Sequence, residues 1–274
     1  MNLQEKKEML WIDTHFHSGE YLPDFGVYIQ EAETEGVGTF LLCASNETES
    51  QLARQTAEQF PQIYFAAGLH PHEAESGQAF LSQLDSFRGH PKLAAAGEIG
   101  LDYFYDFCPR RIQLEVLEKQ LDWALSAQLP AVIHCRDKAD SELAYEDAYR
   151  LLEPFARQGG HFELHCYAGS PAFAEKFAAL GSYFGVGGMI TFGRADNIRE
   201  LARLLPLDRL LLETDAPYLA PKPYRGKPNH SRYIPLIGAK LAEIKGITPE
   251  ECARITTENA CRLFSVFQKK ETAE

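Results

Sequence analysis

Eight short apolar runs, each of strand length and each followed by a stretch with helical spacing, set the strongest limit on what this 274-residue chain can become. They are Leu10–Asp13, Thr39–Ala44, Ile63–Gly68, Leu93–Glu98, Ala131–His134, His161–His165, Ser182–Val186 and Leu210–Glu213. The segments between them read as amphipathic helices. In Gln113–Gln128, Leu114, Leu117, Leu121 and Leu125 share one face, and Leu129-Pro130 supplies the stop. Successive strand–helix units specify an α/β fold with a parallel sheet. Eight of them close into a single TIM-type (β/α)8 barrel, for which this length is ordinary. An open doubly wound sheet is the competing architecture, but it carries a glycine-rich phosphate turn after its first strand, and here two histidines stand in that place. No Gly/Ser linker or low-complexity tract marks a boundary, so residues 1–274 are expected to form one domain. Past Gly246, Thr248-Pro249-Glu250-Glu251 has the form of a helix start, and the polar end Gln268–Glu274 is expected to fray.

The ends of these runs carry the chemistry. His15 and His17, in Asp13-Thr14-His15-Phe16-His17, share a face of extended backbone. At a rise of roughly 3.3 Å per residue they stand about 7 Å apart, close enough to converge on one metal ion. His70, Glu98, His134, His165 and Asp215 lie at or just beyond the ends of other runs, and the C-terminal ends of barrel strands form the working face. Four imidazoles (His15, His17, His134, His165) and two carboxylates (Glu98, Asp215) exceed what one catalytic ion needs, since such a site keeps a position open for water. Two divalent ions sharing Glu98 fit better. Small neighbours in Ala96-Gly97-Glu98-Ile99-Gly100 let the backbone pack tightly while that carboxylate stands clear.

Asp215 ends the eighth run beside the first, where it can ligate metal and take a proton from the attacking water. His70, in Gly68-Leu69-His70-Pro71, is placed to donate to a phosphate or a leaving oxygen. Such a set supports hydrolysis, with phosphodiesters as natural substrates, because two ions can stabilise the attacking and leaving oxygens together. His72, His90, His161 and His230 read as surface or packing residues. Imidazole must be neutral to bind metal, so activity is expected to fall below roughly pH 6.

The net charge of −12 argues against nonspecific adhesion to nucleic acid over the whole surface. Between Pro221 and Arg232, however, Lys222, Arg225, Lys227 and Arg232 occur with no acidic residue, a loop able to grip phosphates. No apolar stretch approaches the roughly 18 residues of a membrane span. Met1–Glu8 lacks the basic head and apolar core of a secretory signal. Six scattered cysteines without a C-x-x-C pair suit reduced thiols, so a cytoplasmic location is expected. Cys135 and Cys166 follow candidate ligands, and strand alternation should turn both into the packing layer.

In order along the chain, Asp13-Thr14-His15-Phe16-His17, Gly68-Leu69-His70-Pro71, Gly97-Glu98-Ile99-Gly100-Leu101-Asp102, His134-Cys135-Arg136, His165-Cys166-Tyr167, Glu213-Thr214-Asp215-Ala216-Pro217-Tyr218-Leu219 and Arg225-Gly226-Lys227-Pro228-Asn229 resemble the motifs of the TatD deoxyribonuclease family, within the metal-dependent amidohydrolase superfamily. Asn259-Ala260-Cys261-Arg262-Leu263-Phe264 is similar to the family's closing helix. The resemblance implies a barrel hydrolase that uses two divalent ions (Mg, Mn or Zn) to cleave DNA, single-stranded or at its 3′ ends, as a 3′-5′ exonuclease. By that analogy His15, His17, Glu98 and Asp215 hold one ion, while Glu98, His134 and His165 hold the second. Arg136, Tyr167, Arg225 and Lys227, with His70, would contact the nucleic acid; no membrane and no obligate protein partner is implied. The chain departs from the family pattern after Asn229, where His230-Ser231 replaces the usual x-Pro. The alternative activity is metal-dependent hydrolysis of a small amide, ester or lactone, which would need no cationic loop. A non-catalytic binding module is disfavoured, because both carboxylates and all four histidines are in place.

Overall fold

Eight parallel strands form one sheet in chain order: β1 (Trp11–Phe16), β2 (Val37–Cys43), β3 (Ile63–Ala67), β4 (Leu93–Asp102), β5 (Ala131–Arg136), β6 (Phe162–Leu164), β7 (Tyr183–Val186) and β8 (Leu210–Leu212). Just past β8, the Asp215 N–H donates to the His15 carbonyl at 2.9 Å and the His17 N–H donates to the Ala216 carbonyl at 2.8 Å. A bridge between Phe16 and Ala216 completes the seam, so the sheet closes into a TIM-type (β/α)8 barrel. The computed structural model describes residues 11–19, 24–105 and 107–271. Leu10, at the start of the first apolar run, and residues 272–274 of the polar end lie outside these.

Among the described residues eight α-helices surround the barrel: α1 (Phe25–Thr34), α2 (Glu47–Gln59), α3 (Arg110–Ala127), α4 (Leu143–Arg157), α5 (Pro171–Ala179), α6 (Asp196–Leu204), α7 (Ile234–Lys245) and α8 (Pro249–Leu263). They are not distributed one per strand. Between β3 and β4 the chain makes only 3-10 turns, Pro71–Glu73 and Gln78–Phe87, while α7 and α8 both follow β8. Pro71, which has no N–H, opens the first of these turns, and Gly77 precedes the second. α8 begins with Thr248 accepting from the Glu251 N–H and Glu251 reaching back to the Thr248 N–H, a reciprocal capping box. Beyond it, Ser265–Glu271 continues as 3-10 turns.

Alternation along the strands divides the core into two layers. Phe40, Leu42, Phe65, Phe162, Leu164, Phe184 and Leu212 pack outward against the helices. Ile12, Leu41, Tyr64, Ala66, Ala94, Val132, Tyr183 and Leu211 fill the barrel interior, where Leu263, Phe264 and Phe267 join them and close its floor. The floor lies toward the N-terminal ends of the strands, leaving the C-terminal ends for polar groups. Among the described residues no helix is long and apolar enough to cross a membrane.

Candidate metal centre

Two strands deliver the central donors, and each has an irregularity just before them. In β1, Asp13 pairs with Phe40 but Phe16 pairs with Leu42, so three steps face two. In β4, Ala96 pairs with Ala131 and Ile99 with Ile133, again one residue too many. A bulge changes which face the following side chains occupy. Ile12 is interior, and unbroken alternation would send Phe16 inward; instead Phe16 packs outward against Tyr28 and Phe40, and His15 and His17 take the interior. β4 also approaches β5 closely at Gly100, whose φ is +151° and where a Cβ would collide with the His134 carbonyl. Two buried glutamines of α3 fix the loop ends. Gln113 bonds both backbone groups of Asp102, and Gln120 bonds both backbone groups of Leu69, beside His70.

His15 Nε2 and His17 Nε2 are 3.0 Å apart, and Glu98 Oε2 is 3.4 Å from each. Asp215 Oδ1 lies 3.3 Å from His17 Nε2 and 3.7 Å from His165 Nε2. The other oxygen of Glu98, Oε1, is 2.9 Å from His134 Nδ1, 3.8 Å from His70 Nε2 and 4.0 Å from His165 Nε2. The structure thus brings together His15, His17, His70, Glu98, His134, His165 and Asp215 around one carboxylate. His165 stacks on His15 at 3.5 Å and groups with His15 and Asp215, whereas His134 groups with His70 and Glu98.

The donor set fits metal ions. Ligand atoms about 2.0–2.2 Å from a common ion stand roughly 3.0–3.5 Å from one another, as those of His15, His17 and Glu98 do. The Nδ1 of His17 donates to the Cys43 carbonyl at 3.0 Å, which turns Nε2 toward the cluster. His15 is fully buried, and its Nδ1 has no hydrogen-bond partner. Among the described residues no Lys or Arg pairs with Glu98 or Asp215; only imidazoles do. Burial would raise both carboxyls. His15 and His70 instead hold Glu98 well below the usual carboxylate range, and His17 and His165 hold Asp215 below it. Burial, with the nearby His134, depresses His70 well below an ordinary imidazole; its Nδ1 accepts the His72 N–H, so a ring proton sits on Nε2.

Behind these groups stand three acids that sequence reasoning left unassigned. Asp102 Oδ2 is 3.0 Å from His134 Nε2, Glu213 Oε2 is 2.9 Å from His165 Nδ1, and Asp13 accepts from Thr214 Oγ1 and Ser231 Oγ at 2.6 Å each. Burial opposes a proton on His134, but Asp102 and Glu98 outweigh it and push that imidazole up to about 9. Carboxylates that orient ligand histidines are a recurring support of metal sites. Their signal was present in the sequence: Asp102 and Glu213 lie inside quoted motifs, each within four residues of a candidate ligand. Glu163, buried beside Glu213 with both oxygens unpartnered, is pushed well above the usual carboxylate range, first by burial and then by the Glu213 charge.

Several expectations need correction. Tyr167 is not at the mouth: it is 5% exposed, its ring packs against Tyr145, Phe177 and Phe184, and its hydroxyl donates to the Ser170 carbonyl. His72 is not a bystander, since its Nε2 is 3.0 Å from Asp102 Oδ2. Cys135 lies in the outer apolar layer, but β6 ends at Leu164, alternation ends with it, and Cys166 turns with φ +45° to stand beside His165 and Glu213. Of the loop cations, Arg232 is paired with Glu31 at 2.7 Å, while Arg225 lies over Phe192 at 3.7 Å and, like Lys227, is exposed. Ser231 does what a proline there could not: its N–H donates to the Tyr28 hydroxyl, and its own hydroxyl clasps Asp13.

Comparison with known proteins agrees with this geometry. The family model described as TatD related DNase matches residues 12–265. An uncharacterized metal-dependent hydrolase, YabD, from Bacillus subtilis (strain 168) is 36% identical over 257 residues, covering 93% of this chain and 98% of that protein. A protein named 3'-5' ssDNA/RNA exonuclease TatD from Citrobacter rodentium is 32% identical over 271 residues, covering 95% and 99% respectively. The crystal structure of YJJV, a TatD homologue from Escherichia coli K12, superposes with a TM-score of 0.85 at 32% identity, covering 93% of this chain and 98% of that one. The chain is a metal-dependent hydrolase and belongs to the TatD-related DNase family.

Proposed function

We propose that this enzyme cleaves phosphodiester bonds of DNA, shortening single strands from the 3′ end. What carries the reading is the convergence of His15, His17, His134, His165 and Asp215 on the two oxygens of Glu98, beside a protonated His70 Nε2. The name of the Citrobacter relative supports a single-stranded substrate. His15, His17, Glu98 and Asp215 would hold one divalent ion, and Glu98, His134 and His165 a second. When bound, two such ions supply Lewis acidity, activating water near neutral pH and offsetting charge on phosphate oxygens.

The chain's own groups do the rest. Asp215, kept ionised by His17 and His165, accepts a proton from the attacking water. His70 donates from Nε2 to a phosphate or leaving oxygen. Arg136, Arg225 and Lys227 engage the phosphates of the strand. The six free cysteines support a reducing compartment, the cytoplasm.

The test uses the full chain loaded with Mg2+, Mn2+ or Zn2+ and a single strand labelled at its 5′ end, with metal counted on the same preparation. The expected result is stepwise shortening and two ions per chain. Glu98→Ala should lower metal content and cut cleavage by roughly a hundredfold or more, beyond the cost of losing a supporting group. No cleavage with any ion, with Glu98→Ala indistinguishable from the parent, overturns the reading. Activity on small esters or amides that survives Arg225→Ala and Lys227→Ala would move the substrate to that class.

A further inference from the structure

The rim beside β4 leaves three large rings in water: Phe104, Tyr105 and Phe107 are 43%, 44% and 64% exposed. Single exposed apolar side chains need no explanation, but a contiguous group does. Tyr105 and Phe107 lie parallel, with centroids 5.3 Å apart and planes 14° from one another, and Phe104 meets Tyr105 edge-on at 4.9 Å. The Arg136 guanidinium lies over Phe104 and Tyr105, 4.2 and 4.7 Å from their centroids.

This group is tied to the metal centre rather than lying loose on the surface. Asp102 Oδ1 accepts the N–H groups of Phe104 and Tyr105, both at 2.9 Å, while its other oxygen faces His134. The His72 ring, on the same carboxylate, meets Tyr105 and Phe107 edge-on at 5.4 and 4.9 Å. One buried carboxylate therefore fixes the rings relative to a ligand histidine. Flat apolar faces with a guanidinium among them suit a chain that alternates flat apolar rings with anionic links. Every nucleobase has a π-face, so stacking tolerates any sequence, whereas bases inside a duplex keep their faces covered.

We propose that Phe104, Tyr105 and Phe107, with Arg136, form a stacking platform for unpaired bases of the strand whose phosphodiester is cut. The proposal rests on the nuclease reading above and extends it from the bond to the bases. The platform selects unpaired over paired strands and is indifferent to base identity.

The test reads binding, so that it does not depend on turnover. Full-length metal-loaded protein is titrated into a fluorescent oligo(dT) with phosphorothioate linkages and into an abasic strand of the same length and linkages. The base-bearing strand should bind at least about tenfold tighter. A Phe104→Ala/Tyr105→Ala/Phe107→Ala variant should lose that preference at unchanged melting temperature, and Phe107→Trp should keep it. Equal binding of the two strands by the unaltered chain, no binding of either, or a folded triple variant that keeps the preference would overturn the platform. Should the triple variant misfold, the abasic comparison on the unaltered chain still decides. Base-dependent binding without cleavage of any DNA would keep the platform and overturn the nuclease reading; stepwise cleavage with base-blind binding would do the reverse.

Discussion

At the floor of the barrel, Phe264 and Phe267 meet Tyr64, Ala94 and Leu211, and every group in contact is apolar or nearly so. At the mouth, the same barrel buries His15, Glu98, Glu163, His165 and Glu213, none more than 6% exposed. Both ends exclude water, but only one gains stability by doing so. Burial of a large apolar side chain contributes roughly 1.5–3 kcal/mol, whereas buried carboxylates and imidazoles cost free energy unless each finds a partner. The floor can therefore hold the barrel shut while the mouth holds groups poised for cations. Glu163, buried with both oxygens unpartnered, bears that cost in full.

The largest effect that would sharpen this division is Phe264→Ala. Deleting a fully buried ring from the floor should cost about 3–5 kcal/mol of unfolding free energy and leave the metal content of folded molecules unchanged. Denaturant titration with metal analysis of the folded fraction checks both halves, and metal loss without unfolding would show that the two ends are coupled. Next comes Glu213→Gln, which removes the charge behind His165 but keeps its shape. Metal affinity or activity should fall roughly 10–100-fold while stability changes little, measured by metal titration and thermal melting.

The smallest effect is graded with pH. The His134 proton is held up to about 9 in the metal-free protein, above its ordinary value, so the stabilisation from its pairing with Asp102 and Glu98 is complete below about pH 6.5. It is lost as pH rises through 9. In the proposed site a metal ion held by His134 would displace that proton, so affinity should rise by up to about tenfold per pH unit until 9, and His134→Asn should flatten the slope. Calorimetric titrations in buffers of different ionisation enthalpy would count the proton released. The acid limit on activity expected from imidazoles alone, near pH 6, accordingly shifts upward for this ligand.

Much of the architecture was legible because it is local. The eight apolar runs and the Thr248 helix start are patterns within a few residues, and the structure has a strand or a cap at each. The candidate donors were legible because they end those runs. The bulges in β1 and β4 were not: they are register shifts against β2 and β5, and no property of either strand alone records them. Tyr167 was given a nucleic-acid contact by resemblance alone, and nothing local records that past the end of β6 its ring turns into the packing. Arg232 read as a free cation because its partner, Glu31, is remote in sequence. His72 was dismissed for want of a partner that only the turn after Asp102 brings to it.

The seam between β1 and β8 sets when this protein can first hold its metal. Thr214 clasps Asp13 across 201 positions of chain, and Ser231 does so across 218. During synthesis the histidine pair of β1 leaves the ribosome about 200 residues ahead of Asp215 and the two clasping hydroxyls. Over that interval a growing chain offers two imidazoles without the groups that clasp their strand. In the proposed site the full chelate therefore needs the closed barrel, because the histidines of β1 and Asp215 meet only across this seam.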